Sequence, residues 1–469
     1  VRRTKIVATV GPASGADETL EAMIVAGVDV FRLNFSHGSQ EEHARHVAAI
    51  RAAGERAGKE VAVMGDLPGP KIRLGELDGG ALDLLSAEDV TLTEADVVGS
   101  RGLIPVAFPE FSAAVPPRGH VFVADGRVRL RVREVSAGEV RCTVEHGGRV
   151  RSRQGVNLPG AGLPAAGRGD GAWLDFAVEH GVDLIAVSFV REPADIEAVV
   201  RRLRARGADL PVLAKLERVE ATARVEEIVE LGDVGVMVAR GDLGIEIELE
   251  RLPVVQRRLL RVAGSHARAS ITATQMLASM VDSPRPTRAE VTDVANAIYQ
   301  GTDAVMLSDE TAIGAHPVEA VRVMDRIALA TERDLPYREW ARGRVKDEPG
   351  EIGRAVAGAA VGSAHKLGLA ALVVPTESGR SARLVSAYRP SMPVLAISRR
   401  REIVRRLNLM WGVRGVVAEE DEGLPDLLGD CARIAREAGV ARRGELIGIT
   451  AGLPGHGLGT NLFEIHRVD

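Results

Sequence analysis

Short, continuous apolar runs rich in β-branched residues recur along this chain and alternate with segments of helical periodicity. Eight such runs are Lys5–Val10, Val28–Leu33, Val61–Gly65, Asp183–Phe189, Val212–Lys215, Val234–Ala239, Ser270–Ala273 and Ala304–Leu307. Runs of this kind suit parallel strands, because helices cover both faces of such a sheet and leave no polar side. Helical patterns lie between them at Asp17–Ala26, Gln40–Ala57, Asp195–Arg206 and Arg288–Gln300. The last follows Thr287, with Glu290 three positions on, a spacing that lets two side chains satisfy orphan amides at a helix start. Eight βα units predict a (β/α)8 barrel. An open doubly wound sheet is the alternative, and the regularity of the units favours closure.

One interval breaks the rhythm. More than 110 residues separate the third run from the fourth, and much of that interval has strand character. Val121–Val132 contains Asp125-Gly126, a hairpin dipeptide, followed by alternation of Val128, Leu130 and Val132 with arginines. A second turn is expected at Gly147-Gly148. Residues 67–154 therefore read as an inserted β domain over the barrel mouth, and the helix Gly171–Gly181 completes the interrupted unit. The barrel is expected to comprise residues 1–66 and 155–335. Residues 336–350 read as a linker, and 351–469 as a separate α/β domain. Its expected strands are Ala371–Val374, Val394–Ile397, Gly415–Val417, Leu446–Ile449 and Phe463–Arg467.

Aromatic residues make up only 3% of the chain, so its cores must be built from Val, Leu, Ile and Ala. A net charge of −5 argues against a general nucleic-acid binder. The two cysteines, Cys142 and Cys431, lie far apart, which points away from a disulfide framework and towards a reducing cytoplasm. The first apolar run is too short for a signal peptide, and no stretch approaches the roughly 20 apolar residues of a membrane span. A cytoplasmic enzyme with neither membrane nor nucleic acid as partner is expected.

Polar residues gather after the runs. Arg32, Asn34, Ser36 and His37 follow the second, Asp66 the third, and Lys215 and Glu217 end the fifth. Arg240 and Asp242 follow the sixth, Thr274 the seventh, and Ser308 and Glu310 the eighth. All fall at C-terminal strand ends, where barrel active sites form. Exposure alone explains some polarity at each end, but not Lys, Glu, Asp, Arg and Thr converging on one mouth. Lys215 stands out further because only six of the 60 basic residues are lysines. An ammonium is a compact point charge, whereas a guanidinium is a broad planar fork. One ammonium beside two carboxylates suits phosphoryl transfer, which needs positioning and charge neutralisation more than covalent chemistry. Mg²⁺ takes one or two protein carboxylates and completes its octahedron with substrate and water, a role open to Glu217 and Asp242. Lys215 and Arg32 can stabilise charge on a moving phosphoryl group. Gly241 lets backbone amides approach a small carboxylate, and Thr274 offers it a hydroxyl.

Four longer motifs carry a family resemblance. They are Phe31-Arg32-Leu33-Asn34-Phe35-Ser36-His37-Gly38, Met237-Val238-Ala239-Arg240-Gly241-Asp242-Leu243-Gly244, Ala273-Thr274-Gln275-Met276-Leu277 and the segment from Pro286 to Ala297. With Gly155-Val156-Asn157-Leu158-Pro159-Gly160, these resemble pyruvate kinase along the length of the chain. The resemblance implies a barrel, an inserted lid and a C-terminal α/β domain. It implies phosphoryl transfer from phosphoenolpyruvate to ADP, a Mg²⁺ cofactor with Mn²⁺ as the alternative, and a homotetramer. Lys215 matches the lysine on the phosphoryl group in transit, and Glu217 and Asp242 the metal ligands. Arg32 matches the arginine on the substrate phosphate, and Gly241, Asp242 and Thr274 the groups around the substrate carboxylate. Thr274 and Ser308 lie where the family protonates the enolate. Arg73 matches a nucleotide-phosphate contact, alongside Asn34, Ser36 and His37.

Three positions depart from the family pattern. Lys71 stands where potassium-dependent members have Glu, beside Asn34, Ser36 and Asp66, so its ammonium is expected to replace bound K⁺. Gln154 stands where many relatives have a nucleotide-binding lysine. Asp309 replaces a common glycine. In the C-terminal domain, Thr376, Ser378, Gly379, Arg380 and Ser381 sit between a strand and a helix, a composition that can cradle a phosphate. The family places effectors there. The facing loop Gly452–Asn461 lacks the Trp and Arg of fructose-bisphosphate-activated relatives, which favours AMP or a sugar monophosphate. Two other functions are compatible with parts of this pattern. One is a metal-dependent barrel aldolase or lyase acting on pyruvate enolates, which would need neither the lid nor Arg32 and Arg73. The other is a catalytically dead metabolite sensor, which would not need Lys215, Glu217, Asp242 and Thr274 together.

Overall fold

The computed structural model describes residues 1–69, 72–124, 126–160, 170–346, 351–418, 427–452 and 459–469. All eight expected runs form strands: Lys5–Thr9, Val30–Asn34, Ala62–Asp66, Leu184–Val187, Val212–Lys215, Val234–Ala239, Ser270–Ala273 and Ala304–Leu307. They pair in parallel around a closed barrel, the first strand bonding to both the second and the eighth. Two strands differ from expectation by more than one residue at an end, for local reasons. Val28 does not extend the second strand because it still belongs to the turn closed by Gly27, whose φ of 125° ends the preceding helix. The fourth strand stops at Val187 because Phe189 has φ 55°, a left-handed conformation that turns the chain away.

The pleat separates two apolar layers. Val7, Val30, Met64, Leu213, Met237 and Met306 fill the barrel interior. Alternate residues such as Ile6, Phe31, Ile185 and Val236 pack outwards against the helices. Aliphatic residues and methionines thus do the filling that aromatics perform elsewhere. The helix Arg288–Tyr299 begins with the expected reciprocal cap, Glu290 N donating to Thr287 Oγ1 at 3.3 Å and Thr287 N to Glu290 Oε2 at 2.7 Å. Caps of this kind stabilise by about 1 kcal/mol.

The insertion leaves the barrel after the third strand and is built around its own apolar core, which includes Leu92, Phe111, Val121, Leu130 and Val140. Its main sheet has seven strands, among them the antiparallel pair His120–Val123 and Val128–Ser136. The turn between these two includes Gly126 at φ 83°, as a hairpin requires, while Asp125 lies outside the described residues. The expected turn at Gly147-Gly148 is not a hairpin. Strand Glu139–His146 ends one residue before Gly148–Arg151, which pairs instead with Ala81–Leu84 in a separate two-stranded sheet. Gly147 is needed there because a Cβ would fall 2.4 Å from the Leu84 carbonyl oxygen. The 120–136 hairpin reaches the barrel mouth, where a Cβ on Gly126 would touch Ile245 at 3.3 Å.

The C-terminal part forms a five-stranded sheet in the order Val413–Val417, Val394–Ser398, Leu372–Pro375, Leu446–Ala451 and Leu462–Arg467. The last strand runs antiparallel at one edge. Among the described residues, no helix is long and apolar enough to cross a membrane.

Candidate active site

Lys215 ends the fifth barrel strand, so its side chain projects from the C-terminal mouth. Its ammonium lies 2.6 Å from Ser188 Oγ, 2.9 Å from Glu217 Oε1 and 3.3 Å from Asp66 Oδ1. Burial works against this charge, but Asp66 and Glu217 outweigh it and hold the Lys215 pKa above its ordinary value. Asp66 is itself almost fully enclosed. Burial opposes its charge, yet Lys215 and Arg32 keep its carboxyl below the usual range. Arg32 reaches Asp66 Oδ2 at 2.7 Å through Nε and Thr9 Oγ1 at 3.1 Å through Nη1. Third, fourth and fifth strand ends are thereby tied to the second through one charged chain.

Glu217 has a different balance. Its Oε2 accepts a hydrogen bond from Phe189 N at 2.7 Å. Burial, with the nearby charge of Asp242, nevertheless pushes its carboxyl above the usual range. A buried carboxylate whose charge is opposed by a neighbouring one is a donor set that a divalent cation would relieve. Among the described residues, no group of three or more His, Cys, Asp or Glu side chains is placed to hold a metal. A pair of carboxylates fits a hard cation that keeps water and substrate oxygens in its shell.

The sixth strand runs directly into the helix Arg240–Glu246, which puts Gly241 and Asp242 in its first turn. Gly241 N donates to Thr274 Oγ1 at 2.8 Å, and Asp242 Oδ1 accepts from Asn157 Nδ2 at 3.0 Å. Thr274 and Gln275 have φ 67° and 54°. For a β-branched residue such as Thr274 this is a strained conformation, which surrounding bonds must impose. Arg240 supplies them. Its guanidinium donates to Thr274 O at 2.6 Å, Ala273 O at 3.2 Å and both oxygens of Asp293 at 2.8 and 2.6 Å.

Beyond the eighth strand, Ser308 N donates to Glu310 Oε2 at 2.7 Å, and Leu277 N donates to Glu310 Oε1 at 3.0 Å. Ser308 Oγ is shielded from solvent and has no hydrogen-bond partner among the described residues. Asp309 is exposed at the start of the next short helix. Asn34 is the register partner of Asp66, and its Oδ1 accepts from Ser36 N at 3.2 Å. His37 continues that turn, its N donating to Asn34 O at 3.2 Å. Arg73 lies on the lid stem opposite Gly155 and donates to Arg153 O at 3.2 Å. Gln154 closes the turn there, its Oε1 accepting from Arg151 N at 2.9 Å. Lys71 lies outside the described residues.

Farther away, Gly379 has φ 81° and precedes the helix Arg380–Ala387. Its N donates to Thr376 Oγ1 at 3.0 Å. Arg380 reaches Glu351 at 2.7 Å, Arg380 N lies 3.5 Å from Ser378 Oγ, and the hydroxyl of Ser381 meets that of Thr460. The middle of the facing loop, residues 453–458, lies outside the described residues.

Ser188, Asn157, Phe189 and Thr9 were not singled out by sequence. Each is an ordinary residue type that becomes a site neighbour only when distant strand ends meet. Asn157 alone carried a signal, lying within the Gly155–Gly160 motif.

Comparisons with known proteins agree with this geometry. The family described as pyruvate kinase, barrel domain, matches residues 1–321, and pyruvate kinase, alpha/beta domain, matches residues 354–466. A pyruvate kinase of Geobacillus stearothermophilus is 41% identical over 473 residues, covering 100% of this chain and 80% of that protein. One from Thermococcus litoralis is 39% identical over 475 residues, covering 99% and 98%. The solved structure of a pyruvate kinase from Cryptosporidium parvum superimposes with a TM-score of 0.93 at 34% identity, covering 100% of this chain and 96% of that one. The chain belongs to the pyruvate kinase family.

Proposed function

We propose that the barrel mouth around Lys215 is where this chain transfers a phosphoryl group from phosphoenolpyruvate to ADP, the reaction of its family that gives pyruvate and ATP. The observation that carries the assignment is the Lys215 ammonium, held within 3.3 Å of Ser188, Glu217 and Asp66 at one mouth.

In the transfer, an ADP β-phosphate oxygen attacks phosphorus, the bond from phosphorus to the enol oxygen breaks, and pyruvate enolate leaves. Bound Mg²⁺, or Mn²⁺ in its place, would neutralise charge on the phosphoryl and enolate oxygens, with Glu217 and Asp242 as its protein ligands. Lys215 steadies the phosphoryl oxygens, and Arg32 holds the phosphate before transfer. The backbone at Gly241 and Asp242 and the hydroxyl of Thr274 hold the carboxylate. The enolate carbon then takes a proton delivered along Thr274 and Ser308. Ser308 Oγ, shielded and unpartnered among the described residues, favours a role as a relay hydroxyl rather than as a structural one.

Asn34, Ser36, His37 and Arg73 would receive the nucleotide phosphates beneath the lid. Asn34, Ser36, Asp66 and Lys71 would form the position that a monovalent cation takes elsewhere in the family, with the Lys71 ammonium making K⁺ unnecessary. Asp66 already meets Arg32 and Lys215, which supports a site supplied with fixed cations. Thr376, Ser378, Gly379, Arg380 and Ser381 would bind the phosphate of AMP or a sugar monophosphate in a homotetramer. The domain limits are those expected above, a barrel of 1–66 and 155–335 with the lid at 67–154. A coupled assay for pyruvate formed from phosphoenolpyruvate and ADP tests the reaction. An aldolase or lyase of pyruvate enolates would give none.

A further inference from the structure

A second charged cluster lies on the opposite face of the barrel, against the C-terminal part. A small cavity of ≈ 10 Å³, room for about one water-sized particle, is lined there by Arg268, Arg344, Arg383 and Arg389. Among the described residues, its wall holds a single carboxylate, Asp303. That carboxylate is already engaged. Arg389 Nη1 donates to its Oδ1 at 2.6 Å, and Ser270 N and Oγ donate to its Oδ2 at 3.0 and 2.8 Å. Arg383 pairs with Asp233, which is itself half exposed. Arg344 has no carboxylate within 4.0 Å among the described residues. It donates to Gly301 O at 2.6 Å and stacks 5.5 Å from the Trp340 ring centre.

The cavity is lined by cations, and some of their donors are unused. The Nε atoms of Arg344, Arg383 and Arg389 are shielded from solvent and have no hydrogen-bond partner among the described residues. Arg389 is 1% exposed. Gly264 and Gly301 admit the Arg344 guanidinium, since a Cβ on either would fall within 2.5 Å of it. A buried cation without a counter-charge is costly by several kcal/mol, and unmade hydrogen bonds add to that. Burial, then the charge of Arg389, pushes the Arg344 pKa down to about 9.

We propose that this cavity is a binding site for one small monovalent anion of halide size, chloride in solution. The anion would lie among the Arg344, Arg383 and Arg389 guanidinia and supply the missing negative charge. Its neighbours come from both parts of the chain. Gly264–Ala269 and Asp303 immediately precede the seventh and eighth barrel strands, while Arg383 lies one turn beyond Arg380 on the helix that follows the effector-type loop. Chloride would therefore clamp that helix to the barrel.

The test is thermal melting of the full-length protein in sodium gluconate, with sodium chloride replacing gluconate at constant ionic strength. The expected result is a saturable rise in melting temperature of about 1–2 °C. Bromide should substitute, and Arg344→Gln should lose the dependence. Should that variant fail to fold, the unaltered protein crystallised in sodium bromide still decides the matter. An anomalous peak in contact with the Arg344 and Arg389 guanidinia is expected. Melting indifferent to chloride would overturn the proposal. So would a cavity filled by water, by Asp347 or Glu348, or by a carboxylate from a second copy of the chain.

Discussion

The Lys215 ammonium lies 2.9 Å from the Glu217 carboxylate, and the two are buried together at the end of one strand. The lysine holds its proton more tightly than usual, while the carboxylate is pushed towards protonation by burial and by Asp242. A divalent cation between Glu217 and Asp242 removes that repulsion, freeing the ammonium to turn to substrate oxygens.

Metal affinity should therefore depend on both acids. Glu217→Ala and Asp242→Ala are each expected to weaken Mn²⁺ binding by at least an order of magnitude, the scale of losing a ligand or its close support. Titration of Mn²⁺ followed by its paramagnetic resonance signal checks this. Near-normal affinity in either variant would mean that the carboxylate is not a ligand.

Thr274 should matter for substrate binding more than for the fold. Its hydroxyl receives Gly241 N at 2.8 Å, and Arg240 fixes its backbone independently. Thr274→Ala is expected to raise KM for phosphoenolpyruvate about 5- to 10-fold, the effect of one hydrogen bond, and to slow enolate protonation. A melting temperature within about 2 °C of the parent would separate this from misfolding.

Glu246 gives the lid stem a pH dependence. It pairs with Arg218 at 2.6 Å, and Arg218 also donates to Leu158 O at 2.9 Å on the chain returning from the lid. Burial, with the charge of Glu220, pushes the Glu246 carboxyl up to about 7 despite Arg218 and the Gly160 amide. The folded chain therefore keeps a proton that the unfolded chain releases near 4.5. That contribution is complete below pH 4.5 and is lost as pH rises to about 7, so stability falls across this window. Glu246→Gln should flatten the fall, by an amount on the order of 1–3 kcal/mol. Denaturant unfolding at pH 5 and pH 7.5 measures it, and an unchanged slope in the variant would exclude Glu246 as its source.

Activity should need no added K⁺. In buffer free of sodium and potassium, the rate is expected to change less than twofold on adding K⁺, and Lys71→Glu should create a K⁺ requirement. A strong rise in the parent enzyme would refute the substitution of an ammonium for the cation.

Much of this architecture was legible in the chain because its causes are local. Continuous apolar runs marked all eight barrel strands, and Thr287 with Glu290 marked a helix start. Strand limits were less legible where backbone conformation decides them, as at Gly27 and Phe189. The turn expected at Gly147-Gly148 failed because Gly147 answers to crowding by Leu84 in another strand, not to a chain reversal. In the site, charged groups at strand ends could be named from sequence, but their mutual geometry could not. Ser188 beside Lys215, and Arg240 as the anchor of the Thr274 backbone, depend on strands more than 25 residues apart.

The division of labour at Lys215 is most directly tested by Lys215→Met in two assays on one preparation. Phosphoryl transfer from phosphoenolpyruvate to ADP should fall by 10²- to 10³-fold or more, roughly the loss of a preorganised charge at the transition state. Metal-dependent exchange of the pyruvate methyl protons with solvent should persist, because Glu217, Asp242, Gly241 and Thr274 remain. Loss of both activities in a folded variant, or retention of phosphoryl transfer, would contradict the account.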